Sequence, residues 1–461
     1  MKKKMLAAIL TATMVAACFT GCGSEASNAG SDAGSDNATE TDAETDGDAE
    51  ADAETDAEAP AASSADGQVY WLNFKPEADE ALQGIAKTYT EQTGVPVTVV
   101  TAASGTYNST LTAEMDKDEA PTLFVVGNQA AVQSWGDFCY DLKGTDVYNE
   151  LTTDDFTLYN GDQVASIGYC YESFGIIVNK TLLKEAGHDL SEIKDFASLK
   201  TVADDIHANA DKLGFDAFTS SGMDDSSSWR FSGHLANMPL YYEGEADGWN
   251  GICPETIKGT YLDNYKNIWD LYTTDAKNDK ATLADAGYNA ETEFLDGEAV
   301  FYQNGSWEYA ALSEKYSDDE LAMIPIYTGV DGEENQGLCS GTENCWAVNA
   351  NASEDDIQAT LDFMKWMVTS EEGTTCMAEQ FGVIPYKGAQ ENTNLFIKQG
   401  DEMRNAGKYT VDWTFNLTPN VDDWRAGVVS AINQYDAGGS WDNVVSAFVD
   451  GWATQYKASQ D

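Results

Sequence analysis

The chain has 461 residues, and its 79 acidic against 25 basic side chains give a formal net charge of −54. This charge excludes nucleic acids and anionic lipid surfaces as partners, because both would repel the protein. The length exceeds one ordinary domain and a hydrophobic fraction of 42% is ample for buried cores, so we expect a globular body of two or more lobes. Three histidines, no two at ligand spacing, and no metal or phosphate motif lead us to expect neither a metal nor a cofactor.

The N-terminus has the pattern of an export signal. Three lysines at positions 2–4 precede Met5–Ala17, an apolar run of 13 residues that is too short to span a membrane. The run leads into VAACFTGC, which resembles a bacterial lipoprotein signal, where small residues precede a cysteine that becomes lipidated. Cys22 fits best because a polar stretch follows it at once; Cys18 is the alternative, and a cleaved soluble signal is a further one.

The segment after the signal is expected to be a disordered tether. Residues 25–66 contain 14 acidic and no basic side chains, and they include no aromatic or large aliphatic residue. Such a composition cannot offset the entropy of ordering, and its charges repel one another. We therefore expect residues 1–21 to be a signal peptide and residues 22–66 a lipidated cysteine with its tether. Acyl chains (palmitate) would then anchor the exported protein to the outer face of the cell membrane.

The folded body opens with alternating strand and helix patterns. They run in the order strand 68–74, helix 78–92, strand 95–100, helix 107–115 and strand 121–126. This order predicts a mainly parallel sheet covered by helices, whose ligands bind past the carboxyl ends of the strands. The residues expected there are Phe74 and Lys75 after the first strand, and Asn128 and Gln129 after the third.

The rest of the body continues this alternation. Further strands are predicted at 174–180, 299–303, 321–326 and 345–349, with mostly helical sequence over 182–269 and helices beginning after Ser353 and Ser440. By pattern alone, Trp229 and Arg230 are candidate ligand contacts, because serine hydroxyls, an aromatic plate and a guanidinium fall within six residues. The small polar residues 340–344 are further candidates for contacts with a ligand. Six cysteines remain in the body, and the sequence does not decide whether they pair.

Several stretches of the body match one known family in the right order. They are 91–99 (EQTGVPVTV), 120–124 (APTLF), 171–187 (YESFGIIVNKTLLKEAG), 294–307 (FLDGEAVFYQNGSW), and 363–373 (FMKWMVTSEEG) leading into 381–385 (FGVIP). With them the chain resembles the extracellular solute-binding proteins of family 1, the sugar-binding lipoproteins of carbohydrate ABC importers, to which maltose-binding protein belongs. Thr122 departs from the aspartate that usually follows the proline in that family.

The resemblance implies an α/β, periplasmic-binding-protein-like (type II) fold with two lobes, a hinge and a ligand cleft between the lobes. Chain crossings are implied near 169–175, 325–329 and 382–386. The N-lobe would then comprise residues 67–172 plus 328–382, and the C-lobe residues 173–327 plus 383–461.

The resemblance also implies site residues. Trp307 falls on the family's cleft tryptophan, Glu172 on a position that bonds sugar hydroxyls, and Lys75 near a polar position after the first strand. Trp424 falls near a cleft aromatic of the C-terminal helical region. For each of these residues the alternative is a structural role, in a core or at a solvated hinge.

The expected function is capture of a carbohydrate, an oligosaccharide, by hinge closure and its delivery to the permease of an ABC importer. We expect a monomer and no enzymatic activity. The alternatives are the same fold binding a polyamine, whose cationic chain suits an acidic cleft, a surface glycoside hydrolase, and an adhesin or structural lipoprotein. The particular sugar, its linkage and its length are not determined by the sequence.

Overall fold

A computed structural model describes residues 67–224, 226–284, 288–382, 384 and 386–460. The expected signal peptide, the lipidation site at Cys22 or Cys18 and the acidic tether lie outside these residues. In the part of the chain described, no helix combines the length and apolarity needed to cross a membrane.

The described residues form strands and helices in the alternation that the sequence predicts. The strands are β1 Val69–Asn73, β2 Val97–Thr101, β3 Leu123–Val125, β4 Thr157–Asn160, β5 Gln163–Asn179, β6 Asp216–Phe218, β7 Ala299–Gly305, β8 Leu321–Ile324, β9 Gln336–Val348 and β10 Tyr409–Asp412. The α-helices are α1 Asp79–Thr93, α2 Tyr107–Met115, α3 Gln129–Trp135, α4 Lys180–Glu185, α5 Phe196–Ala208, α6 Ala210–Leu213, α7 Asn237–Asp247, α8 Leu262–Thr274, α9 Ala290–Leu295, α10 Tyr309–Ser313, α11 Glu354–Thr369, α12 Glu371–Gln380, α13 Leu395–Asn405, α14 Val421–Asp436 and α15 Trp441–Ala458. A π-helical turn spans Arg230–Leu235.

Local signals predict several boundaries closely. Helix α2 has the predicted bounds, and α11 begins after Ser353, whose Oγ accepts a hydrogen bond from the backbone N–H of Asp356 at 3.1 Å. Ser440 caps α15 in the same way through the N–H of Asp442 at 3.2 Å. These side-chain acceptors satisfy backbone donors that the first turn of a helix leaves free.

The sheet is mixed, and the prediction of a mainly parallel sheet is wrong for its centre. The strand order is β2-β1-β3-β9-β5-β7-β6, with β10 on β9 and both β4 and β8 on β5. Parallel pairing holds for β1 with β2 and β3, for β6 with β7, and for β10 with β9. Strands β5 and β9 pair antiparallel with each other, and both are far longer than the predicted 174–180 and 345–349. Only the apolar ends of these two strands have a strand signal in the sequence.

Two large cores lie on either side of the middle of β5. The first packs β1–β3, α1 and α11 around Trp71, Tyr169 and Trp346, and the rings of Tyr169 and Trp346 stack at 4.7 Å. The second packs β6, β7, α8, α14 and α15 around Trp269 and Trp452. Strands β5 and β9 contribute residues to both cores. The chain therefore folds around two hydrophobic centres that share two long strands.

The cysteines of the described residues are all free thiols. Five of the six are buried, and Cys253 is half-buried. Cys339 and Cys345 both lie on β9 and are not joined; each side chain is buried.

Candidate functional site

A buried ion pair occupies the middle of β5, between the two cores. The Nζ of Lys75 lies 2.6 Å from Oε1 of Glu172, and the two side chains are 4% and 6% exposed. The Nδ2 of Asn344, on β9, donates to the other Glu172 oxygen at 2.9 Å. Lys75 also contacts the carboxylate of Glu77 at 2.6 Å. Because the ammonium group of Lys75 faces two carboxylates and Glu172 also accepts from Asn344, the charges are tolerated in a buried position.

Lys75 is held in place by the residue that ends β1. The side-chain oxygen of Asn73 accepts from the Lys75 backbone N–H at 3.0 Å, and its Nδ2 donates to the Lys75 carbonyl at 2.7 Å. Asparagine favours such local turns because its short side chain mimics the backbone. This turn ends the strand and directs the lysine toward β5.

Burial and neighbouring charge act in opposite directions on this pair. Desolvation lowers the pKa of Lys75, but the carboxylates of Glu172 and Glu77 outweigh it and hold that pKa well above its usual value. Desolvation raises the pKa of Glu172, and the attraction of Lys75 offsets this only in part.

Aromatic rings lie beside the ion pair. The Nζ of Lys75 is 5.9 Å from the ring centroid of Trp307, within cation–π range. The Trp307 ring is in turn 5.9 Å from that of Trp229. Both indoles are half-buried. Gly305, which ends β7, lets Trp307 fold back over the strand, since a Cβ there would lie 2.2 Å from the indole.

His234 joins these indoles to the second core. Its ring stacks on Phe174 at 4.3 Å and lies 4.9 Å from Trp229 and 5.2 Å from Trp307. Desolvation, followed by the repulsion of nearby cations, lowers the pKa of His234 well below its usual value. The imidazole is therefore neutral and acts as an aromatic plate rather than a charge.

Two further carboxylates and two arginines border the aromatic rings. Burial raises the pKa of Glu308 and that of Glu343 to about 7, with Arg230 opposing the shift at the first and Arg425 at the second. The Cζ of Arg230 lies 4.5 Å from the Trp229 ring centroid. The site thus combines aromatic rings with hydrogen-bonding groups of positive and negative charge.

The structure brings most of the predicted site residues together. Lys75, Glu172, Trp307, Trp229 and Arg230 form one continuous group of contacts. The candidate stretch 340–344 contributes Asn344 to the same group.

Three predicted residues have mainly structural partners near this group. Phe74 packs edge-on against Tyr107 at 5.2 Å. Asn128 caps α3, because its Oδ1 accepts from the N–H of Ala131 at 2.8 Å, and Gln129 donates to the carbonyl of Tyr159 at 3.2 Å. Asn128 thus has a structural role as the N-cap of α3.

Trp424 lies elsewhere, in the second core. It is 2% exposed, its Nε1 donates to the carbonyl of Phe448 at 3.1 Å, and its ring meets Trp452 edge-on at 6.0 Å. The next residue, Arg425, points away from that core and its Nε donates to Ser232 at 3.2 Å. Successive helical residues differ by about 100° in direction, so a sequence match in error by one position exchanges a core residue for a site residue.

Sequence reasoning missed His234, Trp413, Glu308 and Arg425, and it included Glu343 only as part of the candidate stretch 340–344. Trp413 lies 5.9 Å from His234 and 5.6 Å from Phe174, so it extends the group of rings. A lone histidine and a tryptophan after a short strand carry no local signal of a site. Arg425 had one, because it is adjacent to a residue that the family resemblance selected.

The described side chains suit the reversible binding of a ligand. Among the described residues, no group of three or more histidine, cysteine, aspartate or glutamate side chains could hold a metal ion. Flat aromatic faces beside convergent hydrogen-bonding groups suit a polar ligand that also has apolar C–H faces.

Comparisons with known proteins agree with this description. A family model for bacterial extracellular solute-binding proteins matches residues 84–394. A search of curated proteins gives no significant match. Among solved structures, RafE in complex with raffinose is 16% identical with a TM-score of 0.65, and the alignment covers 86% of this chain and 100% of RafE.

Two further structures are similar to a comparable degree. The GacH receptor of Streptomyces glaucescens, solved unliganded and with acarbose, is 18% identical with a TM-score of 0.64, covering 85% of this chain and 98% of GacH. A chitin oligosaccharide binding protein is 17% identical with a TM-score of 0.61, covering 85% and 99%. The two-lobed, periplasmic-binding-protein-like α/β fold expected from the sequence is confirmed by these likenesses.

Proposed function

The chain belongs to the bacterial extracellular solute-binding proteins, a family of binding proteins, and from this membership we propose that it captures an oligosaccharide. The sugar is bound in a cleft between the two lobes and is passed to the membrane permease of an ABC importer. Capture needs no covalent chemistry, so the protein acts through affinity and conformational change alone.

The observation that carries this proposal is the contact between aromatic plates and the buried polar group. Trp307 and Trp229 offer two adjacent indole faces, and Lys75 with Glu172 lies directly beside Trp307. Pyranose rings have flat C–H faces that pack on indoles, and their hydroxyls pair with charged donors and acceptors. The solved relatives include proteins whose titles name raffinose, acarbose and chitin oligosaccharide, and those sugars motivate the choice of ligand class.

Hinge closure is supported by hydrogen bonds between parts of the chain assigned to different lobes. The Nδ2 of Asn108 donates to Asp422 at 2.8 Å, and that of Asn416 donates to the carbonyl of Thr342 at 3.1 Å. We take the lobes to be residues 67–172 plus 328–382 and residues 173–327 plus 383–461. A sugar favours the closed form only to the extent that it contacts both lobes.

The location follows in part from the family, which is extracellular. We further propose that the protein is a monomer held on the outer face of the cell membrane by acyl chains on Cys22, or on Cys18, with residues 22–66 as the tether. Metabolic labelling with a palmitate analogue tests this, because Cys22→Ser should abolish the label if Cys22 is the anchor. Label that persists in this variant but is lost in Cys18→Ser would assign the anchor to Cys18.

The binding proposal is tested by calorimetry against raffinose, maltotriose, cellotriose and chitotriose. At least one of these sugars should bind saturably. Trp307→Ala should lower the affinity for that sugar by about 30-fold or more, as at other buried aromatic contacts. Trp366→Ala is the matched control: Trp366 is also half-buried but packs on Tyr89, 5.2 Å away in the first core.

Three outcomes would contradict the proposal. Saturable binding of spermidine with no response to any sugar would favour the polyamine alternative. Hydrolysis products, lost on a single carboxylate-to-amide change, would favour a glycoside hydrolase. Equal weakening by Trp307→Ala and Trp366→Ala would remove the tryptophan pair from the site.

A further inference from the structure

A small polar recess opens in the second lobe behind Trp229. It is lined by Thr219 and Ser221, which follow the end of β6, by Gln303 of β7, and by Arg230 and Tyr272. Strands β6 and β7 are parallel, and the carboxyl ends of parallel strands are where such sheets bind ligands. The cavity volume is about 10 Å³, which is room for one oxygen-sized group.

The recess contains buried polar atoms without partners. Among the described residues, three buried atoms have no hydrogen-bond partner: the acceptor Oε1 of Gln303, the hydroxyl of Tyr272 and the donor Nε of Arg230. Gln303 is 5% exposed and Tyr272 1%, so both are removed from bulk solvent. Buried polar groups are nearly always paired, and three unpaired ones around a single cavity indicate a site for a polar ligand atom.

The orientation of the Gln303 amide is determined by its other contact. Its Nε2 donates to the backbone carbonyl of Arg230 at 3.1 Å, and a carbonyl oxygen only accepts. The free atom is therefore the acceptor Oε1, while the Nε–H of Arg230 is a free donor. A hydroxyl group fits both, because it donates one hydrogen bond and accepts two.

Arg230 connects the recess to the tryptophan pair. Its guanidinium carbon lies 4.5 Å from the Trp229 ring centroid, and that ring is 5.9 Å from Trp307. A sugar packed on these indoles would thus lie next to the entrance of the recess. Ring hydroxyls are attached directly to the stacked ring, whereas the primary hydroxyl of a hexose extends one carbon further and is free to rotate.

We infer that the recess is the subsite for the primary hydroxyl of one hexose unit, which donates to Oε1 of Gln303 and accepts from the Nε–H of Arg230. This inference rests on the proposed function and adds a specificity to it. The chain selects oligosaccharides with a hydroxymethyl arm at one position and discriminates against analogues that lack that arm, such as pentose units.

The test uses the best-binding sugar among raffinose, maltotriose, cellotriose and chitotriose, together with analogues in which each primary hydroxyl is removed in turn. One analogue should bind the unaltered protein at least about 10-fold more weakly, because it leaves buried polar groups unpaired. In Gln303→Met the parent sugar should bind more weakly, and the ratio of the affinities for parent and analogue should fall toward about one.

Two further variants separate specificity from stability. Tyr272→Phe removes a recess hydroxyl that has no partner among the described residues, so the melting temperature should hold or rise while the ratio falls. Gln336→Met is the matched control. It removes a buried glutamine whose Nε2 donates to the carbonyl of Ile326 at 3.0 Å, so it should lower the melting temperature and leave the ratio unchanged.

The failures of the two proposals are distinguishable. Binding of a sugar with all analogues equal to the parent overturns the recess as a hydroxyl subsite and leaves sugar capture intact. An analogue preference that Gln303→Met does not change also overturns it. No binding of any sugar overturns the proposed function, and the inference with it.

Discussion

Removing the buried cation at position 75 should leave an unpaired charge inside the protein. In Lys75→Met the Glu172 carboxylate keeps only the hydrogen bond from Asn344, at 2.9 Å. Glu77, the other partner of the lysine, is 35% exposed and can be solvated instead. The stability loss therefore arises almost wholly from Glu172.

The expected magnitude follows from the burial of the pair. Both side chains are less than 7% exposed, and breaking such a pair from one side costs about 3–5 kcal/mol in unfolding free energy. Replacing both groups, as in Lys75→Met with Glu172→Leu, should recover most of that loss because no charge remains buried. The control is Lys87→Met: the Lys87–Glu91 pair is 77% and 67% exposed, so it should cost under about 1 kcal/mol.

The loss should also depend on pH. Burial raises the pKa of Glu172 even with Lys75 present, and removing the lysine raises it further. The folded state then binds more protons than the unfolded state, so stability falls as the pH rises through this range. Urea unfolding followed by circular dichroism should give a larger deficit for Lys75→Met at pH 8 than at pH 5.

Two results would refute this reasoning. A loss below about 1 kcal/mol in Lys75→Met would mean that the pair is solvated in solution. A double variant no more stable than Lys75→Met alone would mean that the lysine stabilises through its packing rather than its charge.

Three other outcomes are expected. Trp307→Ala should abolish most sugar binding with little loss of stability, whereas Trp424→Ala should lower the unfolding free energy by about 3–5 kcal/mol and leave the Kd for the sugar unchanged. Calorimetry and urea unfolding measure the two quantities. The reverse pattern would return Trp424 to the site. Burial raises the pKa of Glu343 to about 7, above that of an unfolded glutamate, so its contribution is present at low pH and is lost as the pH rises to 7 and beyond. Glu343→Gln should accordingly flatten the fall in melting temperature between pH 4.5 and 8, and an unchanged slope would contradict the burial. Asn108→Ala removes the hydrogen bond to Asp422 and should increase the radius of gyration of the unliganded protein, measured by X-ray scattering. The affinity for the sugar should fall by about 2–5-fold. Identical scattering of variant and parent would mean that this bond does not hold the lobes closed.

Local physics explains why much of the fold was predictable. The bounds of α2 and the start of α11 follow from apolar periodicity and from a serine at the N-cap, and both signals lie within a few residues. The parallel pairing of β1–β3 follows from their alternation with helices. Strands β5 and β9 differ, because their partners lie far away in sequence and their central residues are polar.

The sequence by itself determined the fold family, the N-terminal strand and helix order, and the residue types of the candidate site. It selected Lys75, Glu172 and Trp307 because their positions relative to strands are local properties. Tertiary structure alone decided that Lys75 meets Glu172, 97 positions away, because this contact depends on how β1 and β5 are arranged in one sheet. It also decided that Trp424 packs in the second core while Arg425 points away from it and contacts Ser232, because the rotation of a helix is set by the core against which it packs.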